Sequence, residues 1–160
     1  PVGNILEVDD KQFCYNLAVN LQAPLLITQT LIKKMMSGGR ILFISSEAAH
    51  SVIAGWGCYS VAKAALVMLS QVLKNDAKKF DVFVGSVSPG VVDTPMQEFV
   101  RSLKVSELPS VDLFKQLHES KQLAKPEIVA DVIGRFLLES NNQKYEDREW
   151  KLRELIEEAQ

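Results

Sequence analysis

Arg40-Ile41-Leu42-Phe43-Ile44-Ser45-Ser46 and Val82-Phe83-Val84-Gly85-Ser86-Val87-Ser88 decide the fold. Each is a short, unbroken apolar run that ends in hydroxyls. A strand with one wet face alternates apolar and polar residues. A run without that alternation is a strand covered on both faces, as in the middle of a parallel sheet. Ser37-Gly38-Gly39 leads into the first run, and Pro89-Gly90 ends the second. Between them, residues 59–79 predict the longest helix. Ala62, Ala64, Ala65, Leu66, Met68, Leu69, Val72 and Leu73 make it apolar around much of its circumference, so it is buried on two faces. Strand, helix, strand is the crossover unit of a parallel α/β sheet.

Outward from this unit the pattern is mostly helical. Residues 10–36 predict a helix with Leu17, Leu21, Leu25 and Thr28 near one stripe, and Pro24 predicts a kink or shortened turn inside it. After the second strand come Thr94-Pro95-Met96, an amphipathic stretch to Leu103 and a short helix over 111–122. Pro126 opens a further helix to Leu138, with Ile128, Val129, Val132, Ile133, Phe136 and Leu137 as its buried stripe. Residues 144–150 are expected as a last strand and 152–158 as a charged helix. No repeat or linker divides the chain, so residues 1–160 are expected to form one domain. Two or three strands make a thin sheet whose edge wants more strands. With Pro1 in place of a starting Met, this predicts a piece of a longer protein.

Composition narrows the function. The 160 residues carry 18 Lys and Arg against 20 Asp and Glu, a formal net charge of −2. That balance argues against a nucleic-acid partner held by a strong basic field. No segment approaches the roughly 18 uninterrupted apolar residues of a membrane span. Cys14 and Cys58 make no disulfide framework, and no His/Cys cluster has zinc-ligand spacing, so a cytoplasmic setting and no metal are expected.

In parallel α/β sheets ligands sit at the carboxyl ends of the strands. Ser45-Ser46 and Pro89-Gly90-Val91-Val92-Asp93-Thr94 lie there, and Tyr59 and Lys63 open the intervening helix. Tyr59 and Lys63 are one turn apart and share a face. A free phenol has a pKa of about 10, and a nearby ammonium favours the phenolate and brings that value down. A hydroxyl such as Ser46 can hold a carbonyl oxygen beside the phenol. The set suits proton transfer to oxygen. The spacing alone also fits a surface ring and a solvated charge. Asn20 also fits a polar tie on a kinked helix, Trp56 a packing residue, and His50 and His118 ordinary loop and surface positions.

Ile44-Ser45-Ser46, Tyr59-Ser60-Val61-Ala62-Lys63-Ala64-Ala65 and Ser88-Pro89-Gly90-Val91-Val92-Asp93-Thr94, with Asn20 in Val19-Asn20-Leu21, resemble the short-chain dehydrogenase/reductase family over about residues 2–138. The narrower similarity is to its sepiapterin reductase and benzil reductase-like members, carried by Gly55-Trp56, Gln71-Val72-Leu73 and Asp93-Thr94-Pro95-Met96-Gln97. The resemblance implies an α/β, Rossmann-like doubly wound parallel sheet of which this chain is the C-terminal half, without the N-terminal cofactor-binding strands. It implies NAD(P)H-dependent reduction of a ketone or 1,2-diketone. Tyr59 is then the proton donor, Lys63 lowers its pKa and binds the nicotinamide ribose, Ser46 orients the carbonyl, and Asn20 helps hold a water leading from Lys63 to solvent. Pro89, Gly90, Val91 and Val92 line the nicotinamide, and Thr94 bonds its carboxamide.

NADP(H) is expected over NAD(H), and the 160 residues alone are expected to bind cofactor weakly and to be inactive. A homodimer or homotetramer through helices 10–36 and 58–79 is expected. The Gly-rich turn and Asn-Asn-Ala-Gly loop of the family are not in this sequence. At the other end Tyr145-Glu146-Asp147 matches the family's pterin anchor poorly, which puts pterin specificity in doubt. A rival expectation is a non-catalytic interaction or regulatory protein on the same fold, or an inactive fragment.

Overall fold

The computed structural model describes residues 1–158; the last two residues of the expected 1–160 domain lie outside the described residues. Its sheet has three parallel strands in the order β1 (Gly39–Ile44), β2 (Val82–Ser88) and β3 (Glu149–Lys151). Gly39 pairs with Val82 and Ile44 with Val87, so the two apolar runs lie in register along their length. Side chains alternate between the two faces. Phe43, Val82 and Val84 face Leu66, Ala77 and Ile32 from the helices on one side. Leu42, Phe83, Val87 and Trp150 face Val129, Val132 and Phe136 on the other. Helices on both faces explain why neither run alternates.

Six of the eight α-helices among the described residues frame this sheet or lead from it: α3 (Gly57–Asp76), α4 (Pro95–Ser102), α5 (Val111–Glu119), α6 (Pro126–Glu139), α7 (Asn142–Asp147) and α8 (Leu152–Glu158). Pro95 and Pro126 occupy first-turn positions, where a missing N–H costs nothing. The expected 10–36 helix is α1 (Asp10–Leu17), a π-helical turn (Ala18–Gln22) and α2 (Ala23–Leu31), closing in a 3-10 turn at Lys34. The Asp9 carboxylate caps its start by accepting from the Lys11 N–H. Pro24 has no N–H to give to the Asn20 carbonyl four residues earlier, and the helix answers by widening rather than by shortening. In the widened turn the Ala23 N–H reaches back five residues to the Ala18 carbonyl.

The last strand differs from the expected 144–150. Residues 142–147 are helical, because Asn141 caps them by accepting from the Lys144 N–H, and β3 begins only at Glu149. Tyr145 of α7 is fully buried against Gly85 of β2, and the Glu146 carboxylate accepts from the Val84 N–H at 3.0 Å. Glu146 therefore stands in for a strand neighbour along β2. It serves the middle of β2, short of the strands' carboxyl ends, so it is not placed as a pterin anchor.

Candidate active site

The site forms where β1 and β2 end. Ser46 follows β1 and starts a 3-10 turn (Glu47–Ala49), its Oγ accepting from the Ala48 N–H at 3.2 Å. With a lone pair of the hydroxyl committed to the backbone, its O–H remains to donate outward. Tyr59 lies in the first turn of α3, near enough to Ser46 for the hydroxyl to act on its phenol. Burial pushes the Tyr59 phenol above its ordinary value, and the Ser46 hydroxyl works against that rise. Lys63, one turn on, has its Nζ 5.6 Å from the centroid of the Tyr59 ring and donates to the Ile44 carbonyl at 2.9 Å.

The upward shift of the Tyr59 phenol comes from desolvation of the ring. Burial disfavours the charge on Lys63 itself and lowers its pKa.

Asn20 sits in the π turn, which packs against α3, and its Nδ2 donates to the Asn16 carbonyl at 3.1 Å. That bond leaves the side-chain oxygen available, and Pro24 withholds the usual helical partner from the Asn20 carbonyl. Pro89 to Thr94 leave the end of β2. Val91 and Tyr59 both pack against one cluster, Trp56, Val100, Leu108, Val111 and Phe114, which brings the two strand ends and α3 together. Trp56 stacks on Phe114 at 5.3 Å and meets Tyr59 edge-on at 5.2 Å. Being buried, it is a wall behind Tyr59. Gln97 is buried as well, whereas Met96 and Phe99 of α4 are more than half exposed or close to it.

The segment after β2 fits the nicotinamide end of a dinucleotide. Its strand-like bridge to Ala124 uses the Val91 carbonyl, at 2.9 Å, and the Asp93 N–H, also at 2.9 Å. Among the described residues the Val92 N–H and carbonyl, lying between them, have no backbone partner, and the Thr94 side chain makes no cap hydrogen bond. A donor and an acceptor on Val92 and a hydroxyl on Thr94 match a planar carboxamide. Gly90 has φ +71° and nothing within 4 Å of the place a Cβ would take, so the backbone there borders open space.

One group escaped the sequence reading. Ser45, the buried neighbour of Ser46, donates to the Glu149 carboxylate, and His50 Nε2 lies 2.5 Å from the other Glu149 oxygen. Glu149 is 104 residues from Ser45, and only the pairing of β3 with β2 joins them. No local pattern signals it.

A parallel α/β fold with a Ser–Tyr–Lys group at the strand ends defines a class of dinucleotide-dependent oxidoreductase. A sequence model of the short chain dehydrogenase family matches residues 1–104. The chain belongs to that family. It is 34% identical over 142 residues to a benzil reductase ((S)-benzoin forming) of Bacillus cereus, covering 86% of this chain and 57% of that protein. It is 32% identical over 131 residues to the corresponding enzyme of Bacillus subtilis, covering 79% and 53%. A crystal structure of a short chain dehydrogenase/reductase from Saccharomyces cerevisiae superposes with a TM-score of 0.89 at 24% identity, over 98% of this chain and 64% of that one. That likeness shows the fold. The chain thus spans a little over half the length of the curated relatives it matches.

Proposed function

We propose that the complete protein reduces a ketone or 1,2-diketone with NADPH, and that this chain supplies the proton-transfer half of the site. The observation that carries the reading is the Tyr59 phenol beside the Ser46 hydroxyl, backed by Lys63, at the carboxyl ends of a parallel sheet. Similarity to the two benzil reductases supports a diketone as substrate.

The Ser46 O–H and the Tyr59 O–H converge on the substrate carbonyl oxygen. When bound, the reduced nicotinamide supplies a hydride to the carbonyl carbon. Tyr59 gives its proton to the carbonyl oxygen, and the ketone becomes an alcohol. A phenol kept protonated by burial is ready to donate. Lys63 holds the ribose side of the cofactor, and Asn20 holds the water through which the proton is restored. Pro89, Gly90, Val91 and Val92 line the nicotinamide, with Val92 and Thr94 bonding its carboxamide.

The protein is proposed to be a cytoplasmic homodimer or homotetramer. No helix among the described residues is long and apolar enough to cross a membrane, and neither cysteine is in a disulfide. Leu26, Ile27 and Leu31 of α2 and Val61, Met68 and Val72 of α3 are apolar and exposed, which supports association through these two helices.

The deciding experiment is turnover by the complete protein with NADPH or NADH and a panel of ketones and 1,2-diketones, beside the Tyr59→Phe variant. The expected result is diketone reduction with NADPH preferred, lost by at least about a hundredfold in the variant. Full activity in Tyr59→Phe would refute the proton-donor role. No turnover of any carbonyl would favour a binding protein on the same fold. The 160 residues alone are expected to show weak cofactor binding by titration calorimetry and no turnover.

A further inference from the structure

Ser46 is flanked by residues tied to the far strand of the sheet. On its N-terminal side, buried Ser45 donates from Oγ to one oxygen of Glu149. On its C-terminal side, the other Glu149 oxygen meets His50 Nε2 at 2.5 Å, and Glu47 forms an ion pair with Lys151 at 3.0 Å. Glu149 and Lys151 are two residues apart on β3, so they point to the same face and grip the same segment. The Glu47–Lys151 pair is exposed on both sides and contributes little by itself. Glu149 differs, because its side chain is only 14% exposed and one of its partners, Ser45, is buried. Removing the carboxylate leaves the Ser45 hydroxyl without an acceptor in the protein interior, which is costly.

We propose that Glu149 is a positioning residue: from β3 it clamps Ser45 and His50, and through them sets the Ser46 hydroxyl against the Tyr59 phenol. The proposal rests on the reading of Ser46 as the hydroxyl that orients the substrate carbonyl. Three successive hydrogen bonds hold the clamped segment, from the Ala48, Ala49 and His50 N–H groups to Ser46 Oγ, the Ser46 carbonyl and the Glu47 carbonyl. A turn this short has no independent stability, so its geometry follows its ends. A hydroxyl displaced by even about 1 Å is no longer aimed at the reacting oxygen, and such displacements cost up to a hundredfold in rate.

The test compares wild type, Glu149→Ala, Glu149→Gln and Ser45→Ala by two readouts. In the complete protein, NMR follows amide exchange at residues 46–50 and the Tyr59 ring resonances, which report the surroundings of the phenol. Glu149→Ala is expected to speed exchange by about tenfold or more and to shift the Tyr59 resonances. Glu149→Gln, which keeps an acceptor for Ser45, is expected to restore most of both. Ser45→Ala removes one arm without stranding a donor, so it shifts both modestly and decides the matter where Glu149→Ala does not fold. In the complete protein, kcat for the carbonyl substrate is expected to fall in Glu149→Ala by about ten- to a hundredfold with the cofactor KM unchanged.

Unchanged exchange and unchanged Tyr59 resonances would overturn the proposal and leave the reductase reading standing. Faster exchange without any movement of Tyr59 would make Glu149 a brace only, and would overturn it too. Coupled changes at 46–50 and Tyr59 in a protein that reduces no carbonyl would support the clamp and sink the reductase reading instead.

Discussion

Lys63 Nζ donates to the carbonyl oxygen of Ile44 at 2.9 Å, joining the face of α3 that carries Tyr59 to the last residue of β1, two residues before Ser46. The bond sets the distance between the cation and the serine hydroxyl. In Lys63→Met the stem is retained and both donor and charge are lost. Turnover is expected to fall by about a hundredfold or more, with Lys63→Arg failing to restore it because a planar fork cannot replace a compact ammonium at this carbonyl. Steady-state kinetics of the two variants decide the point; equal rates in Lys63→Arg and wild type would show that charge alone suffices.

The upward shift of Tyr59 makes the two reaction directions respond differently to pH. Reduction needs the protonated phenol, which persists through neutral pH and is lost only as pH rises past its elevated pKa. Oxidation of the alcohol needs the phenolate, so its rate should climb about tenfold per pH unit through the neutral range. Ser46→Ala removes the group that opposes the shift and should move both profiles to higher pH. Profiles of kcat/KM in both directions provide the check, and a reduction rate that declines between about pH 6 and 8 would contradict it.

Gly85 is the point where α7 leans on β2. A Cβ there would lie 2.9 Å from Tyr145 Cζ and 3.0 Å from the Tyr145 carbonyl oxygen. The ring is packed between Phe136 and the Arg40 guanidinium, so it has little room to retreat. Gly85→Ala should therefore destabilise the chain by about 1–3 kcal/mol, seen as a lower denaturant midpoint with the slope unchanged.

This contact also marks where the sequence stops being readable. β1, β2, α3 and α6 follow from local patterns: unbroken apolar runs for doubly covered strands, and a 3.6-residue stripe behind Pro126. The Tyr59–Lys63 spacing and the hydroxyls at the strand ends are local too. β3 is not. Glu149, Trp150 and Lys151 are extended because they pair with Ser86, Val87 and Ser88, and three residues hold too little pattern to announce it. Asn141 was the available signal for the helix before them, a cap whose side chain competes for the Lys144 N–H. At Pro24 the local signal of a missing N–H was legible, but whether the helix kinks or widens depends on its packing against α3. Glu149 at Ser45 is wholly a product of the sheet. The direction of the Tyr59 shift depends on desolvation, which spacing does not encode.

Tyr145 should shape stability at high pH. Burial raises its phenol far above the usual value of about 10, with Arg40 opposing. In the unfolded chain the phenol releases its proton first, so above about pH 10 the unfolded state binds fewer protons than the folded one, and stability falls as pH rises. Below that pH both states hold the proton and no dependence arises. Tyr145→Phe removes this contribution and should flatten the alkaline decline, leaving the smaller share due to Tyr59. Denaturant midpoints at about pH 9 and pH 11 give the comparison; parallel declines in the variant and wild type would assign the loss elsewhere.

Association through α2 and α3 makes a prediction that separates it from simple surface hydrophobicity. Val61, Met68 and Val72 fall seven and then four residues apart, which is one stripe of α3, and Ile27 and Leu31 repeat the spacing on α2. Between the two helices runs a groove of about 540 Å³ lined by Leu25, Thr28, Ile32, Leu69, Val72 and Leu73 among others, open to an apolar neighbour. A carboxylate in the middle of the stripe would be buried unpaired on association, whereas on a free surface it costs nearly nothing. Met68→Glu should therefore convert the oligomer to monomer while leaving the monomer's stability almost unchanged. Leu138→Glu is equally radical in chemistry but lies on α6, where Leu138 is 78% exposed, and should leave the mass unaltered. Light scattering of the complete protein and both variants reads the outcome. Loss of the oligomer in both would indicate nonspecific association, and a monomeric wild type at high concentration would remove the helix pair as an interface.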